Sequence, residues 1–427
     1  MQKTKLENFI KLNLGNFLFY LGFIFLPSAL PIGGLFLLIA LIISISKTKF
    51  LIFKDKWNYP LFISSGLLIA SCIKNSFSYS SELNISYIWL NLINWIPLFL
   101  CFWGFQEFLK TSQQRKLFVY SLLIGTIPVI ISCIAQNWFN LYGPFETLKG
   151  LIVWYQKPLP NSKAISGLFS NPNYLAFWLS SIFPFSLALF LRNMGINIKS
   201  LISFFLSSII FYLAILTNSR NALIALISSF PFLISIKFLL IILFLICLIF
   251  LLFTYLQPLT LLELGTQIKL IPAKLIEKIF LNEFGGINNF PRMEIYKRAT
   301  KLIGQKPFLG WGGSTFVLVF IANNEVFMKA QHTHNLSLQI AYDFGLPSSI
   351  ILTITIFAIF VKASKKIITM KKTSEFYIDK AFLASSFICI SFHLFDIPYY
   401  DGKVSILFWT LFSGLKCILD EGNENIF

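Results

Sequence analysis

Apolar runs of membrane-spanning length recur along nearly the whole chain, and short polar segments, often basic, interrupt them. Each run is long enough to cross a bilayer as a helix. The pattern predicts spans at 13–28, 31–46, 57–73, 86–105, 117–135, 173–191, 200–217, 220–236, 238–256, 345–361, 379–395 and 404–419. The expected fold is therefore an all-α polytopic membrane protein of about 12 transmembrane helices. The bilayer rather than a watery core organises such a fold, so residues 1–427 read as a single integral membrane domain. The first run follows Lys3, Lys5 and Lys11 and mimics a signal peptide. Pro27 and a second span follow directly and no clear small-residue cleavage site is seen, so a retained first span is expected.

The segments "SKTKFLIFKDK", "KTSQQRK", "RNMGINIKS" and "KASKKIITMKKTSEFYIDK" all fall on one face of this layout, with the N-terminal lysines. Short loops rich in Lys and Arg stay in the cytoplasm. The expectation is a multi-pass membrane protein with both termini cytoplasmic. Two long loops then lie outside, 136–171 and 257–334. Loops of such length without a span are uncommon unless functional. The larger one is predicted to be partly helical. In "PRMEIYKRATKLIGQKPFLGWGGSTF", Ile295, Tyr296, Ala299, Leu302 and Ile303 recur at helical spacing. Asn288 or Asn289 would cap it, with Pro291 in its first turn, and Pro307 and Gly310 would end it. Lys297, Arg298 and Lys301 occupy its other faces, as in an amphipathic helix lying on the outer membrane surface. "GWGG" then gives a permissive turn where backbone can approach a ligand closely.

Composition agrees: 56% of residues are hydrophobic and 12% charged, about half the charged fraction of a soluble domain. The net charge of +17 does not imply a nucleic-acid partner, because no sizeable soluble domain is present to hold one. All six cysteines fall inside predicted spans and none forms a CxxC pair, so they read as small apolar residues. No Walker A motif occurs, so ATP does not drive the protein through a site of its own. No internal repeat is seen.

Arg220, in "LTNSRNALIAL", sits at the outer end of the eighth span with Asn218 or Ser219 as a helix cap. An arginine this close to hydrocarbon is a functional candidate, and the free N–H groups of a helix N-terminus also favour anions. A snorkelling interface arginine is the alternative. Arg292 and Arg298 lie on the amphipathic helix. Arg298 has Glu294 four residues before it, which favours an ordinary ion pair. Arg292 is the better anion ligand, since guanidinium forks match phosphate oxygens. His332 and His334 are two of only three histidines. Zinc would need further ligands, and no third outer histidine or cysteine is at hand, so no metal is expected. Thr333 would cap a helix beginning at His334, and a helix N-terminus favours a neutral imidazole able to accept a proton. A loop histidine in water is the plain alternative. Asp396 in "HLFDIPYYDGK" faces the same side, able to orient a histidine or receive a sugar hydroxyl, or simply solvated. In "FSNPNYLAFWL", Asn171 and Pro172 open span six, and Asn173 is a substrate contact or part of the cap. Trp138, Tyr142, Trp154 and Tyr155 fit an interfacial aromatic belt, or a stack for sugar rings.

In order and on one face, "TNSRNALIAL", "PRMEIYKRATKLIGQKPFLGWGGSTF" and "HTHNLSLQIAYDFGLPSS" resemble the O-antigen ligase and polymerase superfamily of bacterial envelope glycosyltransferases. The matching residues are Ser219-Arg220, then Arg292, then Pro307 with Gly310 and Gly312, then His334-Asn335 with Gly345. The motif-bearing part covers about residues 165–362, and "SNPN" before span six is also similar. Two departures are Gly345-Leu346-Pro347-Ser348, where ligases usually end in Gly, Thr or Tyr, and Ile224 where an Arg-x-x-x-Leu variant has leucine. They leave ligase and polymerase unseparated.

The resemblance implies a membrane glycosyltransferase, independent of metal and of any cofactor, working by inverting displacement. The donor would be a glycan on undecaprenyl diphosphate. The acceptor would be a sugar hydroxyl on lipid A-core, on another glycan or on a protein. His334, Arg220 and Arg292 would be catalytic. Arg298, His332, Asn335, Asp396 and Asn173 are the further substrate-binding candidates. A different class also competes, because some relatives in photosynthetic bacteria are named as bicarbonate transporters and outer arginines suit that anion. A transporter should carry polar or broken helices at the bilayer midplane. The predicted spans hold Pro97, Pro128 and Pro184 but few charges at depth, which favours the enzyme over a transporter, a flippase or a structural partner.

Overall fold

A computed structural model describes residues 2–48, 52–79, 82–154, 164–195, 197–234, 291–322, 330–370 and 375–421. The expected ninth span, the segment 257–290 and Tyr155 lie outside them. The described residues form a bundle of packed helices. In order they are α1 (Gln2–Phe25), α2 (Leu30–Thr48), α3 (Tyr59–Ser76), α4 (Glu82–Leu90), α5 (Ile96–Gly104), α6 (Ser112–Phe139), α7 (Pro172–Arg192), α8 (Ile198–Leu216) and α9 (Arg220–Leu233). After the undescribed segment come α10 (Pro291–Gln305), α11 (Phe316–Ala322), α12 (Leu336–Phe344), α13 (Leu346–Thr369), α14 (Phe376–His393) and α15 (Gly402–Asp420). Among the described residues, seven helices are long and apolar enough to cross a membrane, and two shorter apolar ones accompany them. The protein is an all-α multi-pass membrane protein.

The side chains say which solvent surrounds it. On α13, Ile350, Ile354, Phe357 and Val361 follow each other at spacings of three and four and are 43–62% exposed. The opposite face, with Leu352, Ile359 and Ala363, is buried. An apolar stripe turned outward is costly in water and natural in lipid. The helix α7 shows the reverse and is buried almost all round, with Leu175, Phe177, Trp178, Ile182 and Phe185 inaccessible. It packs against α8, α9 and α14, so the bundle is built around it.

Local sequence sets several boundaries. Thr111 and Gln114 form a reciprocal capping box at the start of α6. Asn171 caps α7 by accepting the N–H of Asn173 at 2.8 Å, with Pro172 in the first turn. The fourth expected span is not one straight helix. It breaks at a 3₁₀ turn, Asn91–Asn94, before α5, because Pro97 at the start of α5 has no N–H for the preceding turn. The smaller long loop also departs from expectation. α6 runs on to Phe139, and a two-stranded antiparallel hairpin follows, β1 (Phe145–Thr147) with β2 (Ile152–Trp154). The indole of Trp154 donates to the Ser28 carbonyl at 2.5 Å, fastening that hairpin to the α1–α2 turn.

At the end of the bundle away from the histidines, ion pairs tie the helices. The buried Arg115 donates to Asp379 at 2.8 Å and to Glu421 at 2.5 Å, joining α6 to α14 and to the residue after α15. Arg192 meets Glu375 at 2.7 Å.

Candidate active site

At the opposite end the chain turns between α8 and α9, between α14 and α15, and into α7. The segment carrying the two histidines settles among these turns. The larger loop supplies it. Ile295, Ala299, Leu302 and Ile303 of α10 are buried with Phe316, Val319 and Phe320 of α11 and with Ala341 and Tyr342 of α12. α10 is thus the expected amphipathic helix, but part of its apolar face is covered by protein rather than by lipid.

The turn after α10 holds this unit against α12. Trp311 N donates to the Tyr342 carbonyl at 2.8 Å, Gly312 N to the Asp343 carbonyl at 2.9 Å, and Leu346 N to the Pro307 carbonyl at 2.7 Å. Gly310 has φ +62, and a Cβ there would stand 2.4 Å from the Tyr342 oxygen. Gly345, at φ +90, would place one 2.0 Å from the Phe308 oxygen. The glycines therefore serve a close backbone approach, but to the end of α12 and not to a ligand as the sequence suggested. Gly345 is the break between α12 and the span α13.

The histidine segment differs from the expected cap. Asn335, not Thr333, caps the helix, accepting from Leu338 N at 3.0 Å, and α12 begins at Leu336. His334 lies before the cap with φ +54, in the left-handed region that few residues other than glycine occupy. Such strain persists only where the surroundings over-determine it. Here they do. Thr333 Oγ1 donates to the Asn335 carbonyl at 2.8 Å, Thr333 N donates to Gln339 Oε1 at 2.9 Å, and Asn335 Nδ2 donates to the Leu394 carbonyl at 3.1 Å. Tyr296 of α10 donates its hydroxyl to the His334 carbonyl at 3.4 Å.

The strained turn brings the His334 ring to Asp396. Nδ1 and Asp396 Oδ1 are 3.1 Å apart, with the His334 side chain 29% exposed and Asp396 6%. Asp396 also accepts from its neighbour Ile397 N at 2.9 Å and, on Oδ2, from Asn173 Nδ2 at 2.8 Å. Burial alone would raise the Asp396 carboxyl; the bonds from His334 and the Ile397 amide overcome that and hold it below the usual carboxylate range. An ionised Asp396 can only accept, so His334 Nδ1 carries the proton, and in the neutral imidazole Nε2 is the free acceptor.

His332 is fixed in the other sense. Its Nδ1 accepts the His334 backbone N–H at 3.2 Å, so its proton is on Nε2. Burial, with the neighbouring His334 and Arg292, pushes its pKa down to about 4. It is a neutral donor rather than an acid–base group near neutral pH. The two rings sit 4.3 Å apart.

Of the remaining candidates, Arg292 lies close enough to His332 and Tyr296 to act on both electrostatically. Arg298 is taken by Glu294 at 2.6 Å, the helical ion pair. Arg220 is exposed in the first turn of α9, after Ser219, and makes no side-chain contact with the histidine cluster among the described residues. Its helix nevertheless packs on α7, which carries Asn173, and on α14, which leads to Asp396. Asn173, read as a cap residue or substrate contact, spends its amide on Asp396.

His332, His334 and Asp396 each offer one ligand atom, and these lie within 4.8 Å of one another. Asp396 is thus a third potential ligand that a count of histidines and cysteines overlooked. The hydrogen bonds above already engage both Nδ1 atoms and both Asp396 oxygens. A second buried network went unread as well, the one through Gln339, Asp343 and Tyr400. Its only signal was a polar pair at helical spacing in the apolar stretch "LSLQIAYDF".

Residues 203–353 match the family model described as O-antigen ligase. The match takes in Arg220, Arg292, His332 and His334 and ends within α13, so Asn173 and Asp396 lie outside it. No curated protein matches the chain.

Proposed function

We propose that the chain, whose residues 203–353 match the family model described as O-antigen ligase, transfers a glycan from an undecaprenyl-diphosphate lipid to a sugar hydroxyl. The reaction takes place at the periplasmic face of the inner membrane, with both termini in the cytoplasm. The acceptor is lipid A-core or another glycan chain. The observation that carries the reading is the His334–Asp396 pair, 3.1 Å apart and held in one tautomer.

His334 Nε2 takes the proton of the acceptor hydroxyl as its oxygen attacks the anomeric carbon. The bond to the diphosphate oxygen breaks on the opposite face, so the configuration inverts. The ionised Asp396 stabilises the imidazolium that forms, as the orienting acid does in other histidine-base sites. The lipid diphosphate leaves with its electron pair, and Arg292 and Arg220 neutralise its growing charge. His332 adds a neutral N–H donor beside the base. Asn335 fixes the start of α12, and Arg298 lies on α10 with Arg292, nearly two turns further along. The diphosphate is already an activated leaving group, so neither ATP nor a cofactor is required. Metal is not required either, since an arginine pair supplies the positive charge.

The test is direct. Purified protein in lipid is given an undecaprenyl-diphosphate-linked glycan and a sugar acceptor, and transferred glycan and released lipid diphosphate are measured. Both should appear in equal amounts, and His334→Ala should abolish them without loss of folded protein. Glycan growth on the lipid itself would point to the polymerase reaction, and transfer to a protein hydroxyl to a protein O-oligosaccharyltransferase. Bicarbonate uptake by vesicles without any transfer would overturn the reading in favour of a transporter.

A further inference from the structure

Asp343 is the most costly side chain near the site and the mechanism above does not use it. It is wholly inaccessible. Cys72 and Tyr79 face it from α3 and the turn that follows, Tyr342 and Gln339 from its own helix, and Tyr400 from the turn before α15. Neither lysine, arginine nor histidine is among them. Burial pushes its carboxyl up to about 7, against the hydrogen bonds from Gln339 and Tyr400. A buried carboxylate without a cation is expensive, and a leucine would fill the place at lower cost. Its hydrogen bonds give a reason for keeping it.

Oδ1 accepts from Gln339 Nε2 at 3.0 Å, and Oδ2 accepts from the Tyr400 hydroxyl at 3.2 Å. Gln339 is itself buried, and its other amide atom, Oε1, accepts Thr333 N at 2.9 Å. An amide side chain can be turned either way, and both ways fit the same space. The Thr333 N–H only donates and takes the Gln339 carbonyl, which leaves the Gln339 NH₂ for Asp343 Oδ1; that oxygen accepts in the ionised carboxyl, and in the protonated one with the proton on Oδ2 toward Tyr400. Thr333 lies between the two histidines, and its amide is anchored only while Gln339 points this way.

We infer that Asp343 is a positioning residue for the base: it orients Gln339, which pins the Thr333 backbone and with it the left-handed turn that presents His334 to Asp396. The inference rests on the glycosyltransferase reading for its kinetic consequence, but its structural consequence stands apart. Asparagine can replace the carboxylate here, with its carbonyl toward Gln339 and its NH₂ toward the Tyr400 oxygen. Leucine cannot.

The experiment uses the full chain in lipid nanodiscs with ¹⁵N-labelled histidine. Three histidines give a spectrum simple enough to assign by substitution. Asp343→Leu should shift the His332 and His334 ring signals and lower kcat on the order of tenfold to a hundredfold, the range for a misplaced catalytic group. KM for the lipid-linked donor should stay within about twofold, since neither proposed diphosphate ligand, Arg292 nor Arg220, bonds to this network. Asp343→Asn should restore kcat to within about threefold. Gln339→Leu should reproduce the Asp343→Leu effect, and the double variant should be no worse than the poorer single one. Should Asp343→Leu fail to fold, Gln339→Leu beside Asp343→Asn makes the same comparison. Unshifted histidine signals in the variants, or effects that simply add, overturn the inference. If the wild type transfers no glycan, the functional reading fails and the histidine spectra still decide this one.

Discussion

His334 and Asp396 stand 62 positions apart in sequence and meet at 3.1 Å, Nδ1 to Oδ1. Three helices lie between them and a strained turn presents the histidine, and the chemistry of the contact is directional. If Asp396 fixes the proton on Nδ1, then Asp396→Asn should do more harm than its small change in shape suggests. An amide can present its NH₂ to Nδ1, which then gives up its proton and leaves Nε2 protonated and useless as a base. Transfer should fall on the order of a hundredfold or more in kcat. Asn173→Ala, which removes only one of the bonds to Asp396, should cost about tenfold or less. Equal losses in the two variants would contradict the tautomer argument.

The arginines are expected to act on the leaving group. Arg292→Lys keeps the charge but loses the planar fork that matches two phosphate oxygens, and should lower kcat on the order of tenfold to a hundredfold. Arg220→Ala should lower it on the order of a hundredfold to a thousandfold. Arg298→Ala should change transfer by less than about threefold, because its guanidinium is engaged by Glu294. Single-turnover rates with purified lipid-linked donor separate these from effects on binding. A wild-type rate in Arg220→Ala would return that residue to the snorkelling role.

The cluster of His332, His334 and Asp396 makes a prediction about metals. EDTA should leave transfer unchanged. Added Zn²⁺ should inhibit, because three ligand atoms within 4.8 Å can capture it and would take His334 out of service. EDTA should then restore the rate. Inhibition should weaken in His332→Gln. Loss of activity on EDTA alone would put a metal into the reaction.

How much of this was legible beforehand depends on the range over which each signal acts. Spans follow from runs of apolar residues, and the cap at Asn171 follows from residues within one turn, so these are local and readable. The break at Asn91–Asn94 was half visible in Pro97. The hairpin after α6 was not, because three-residue strands carry too few positions to show alternation. At the site, the motif residues His334 and Arg292 could be picked out by type and spacing. Their relationships could not. That Asn173 would serve Asp396, and that Asp343 would act through Gln339, depends on how α7, α12 and the turn before α15 meet in space. The cap moved from Thr333 to Asn335 because Thr333 is pinned from both sides, by Gln339 and by the Asn335 carbonyl.

Gly345 tests the docking of the larger loop. Its φ is +90 and the Phe308 oxygen stands 2.0 Å from where a Cβ would be. Gly345→Ala must either open the Leu346–Pro307 hydrogen bond or push the glycine-rich turn off α12. The expected loss is about 2–4 kcal/mol. Thermal unfolding in detergent and protease access to the loop should both report it, and transfer should fall with the folded fraction. Unchanged stability would mean that this backbone contact gives way easily.

Asp343 offers a prediction in which the sign is the test. Its carboxyl is pushed up to about 7 in the folded protein, whereas an unfolded aspartate titrates near about 4. Below the lower value both states hold the proton and the residue costs nothing electrostatically. Between the two values the unfolded chain releases the proton and the folded chain keeps it, so stability declines as pH rises. Above the upper value both states are ionised and the penalty is constant, at most about 4 kcal/mol. Asp343→Asn carries no such titration. The variant's melting temperature, measured against wild type, should therefore rise steadily from about pH 4 to about pH 7 and then level off. The opposite trend, a variant that loses ground as pH rises, would show that the folded protein stabilises the ionised form and that a cation not counted here reaches Asp343.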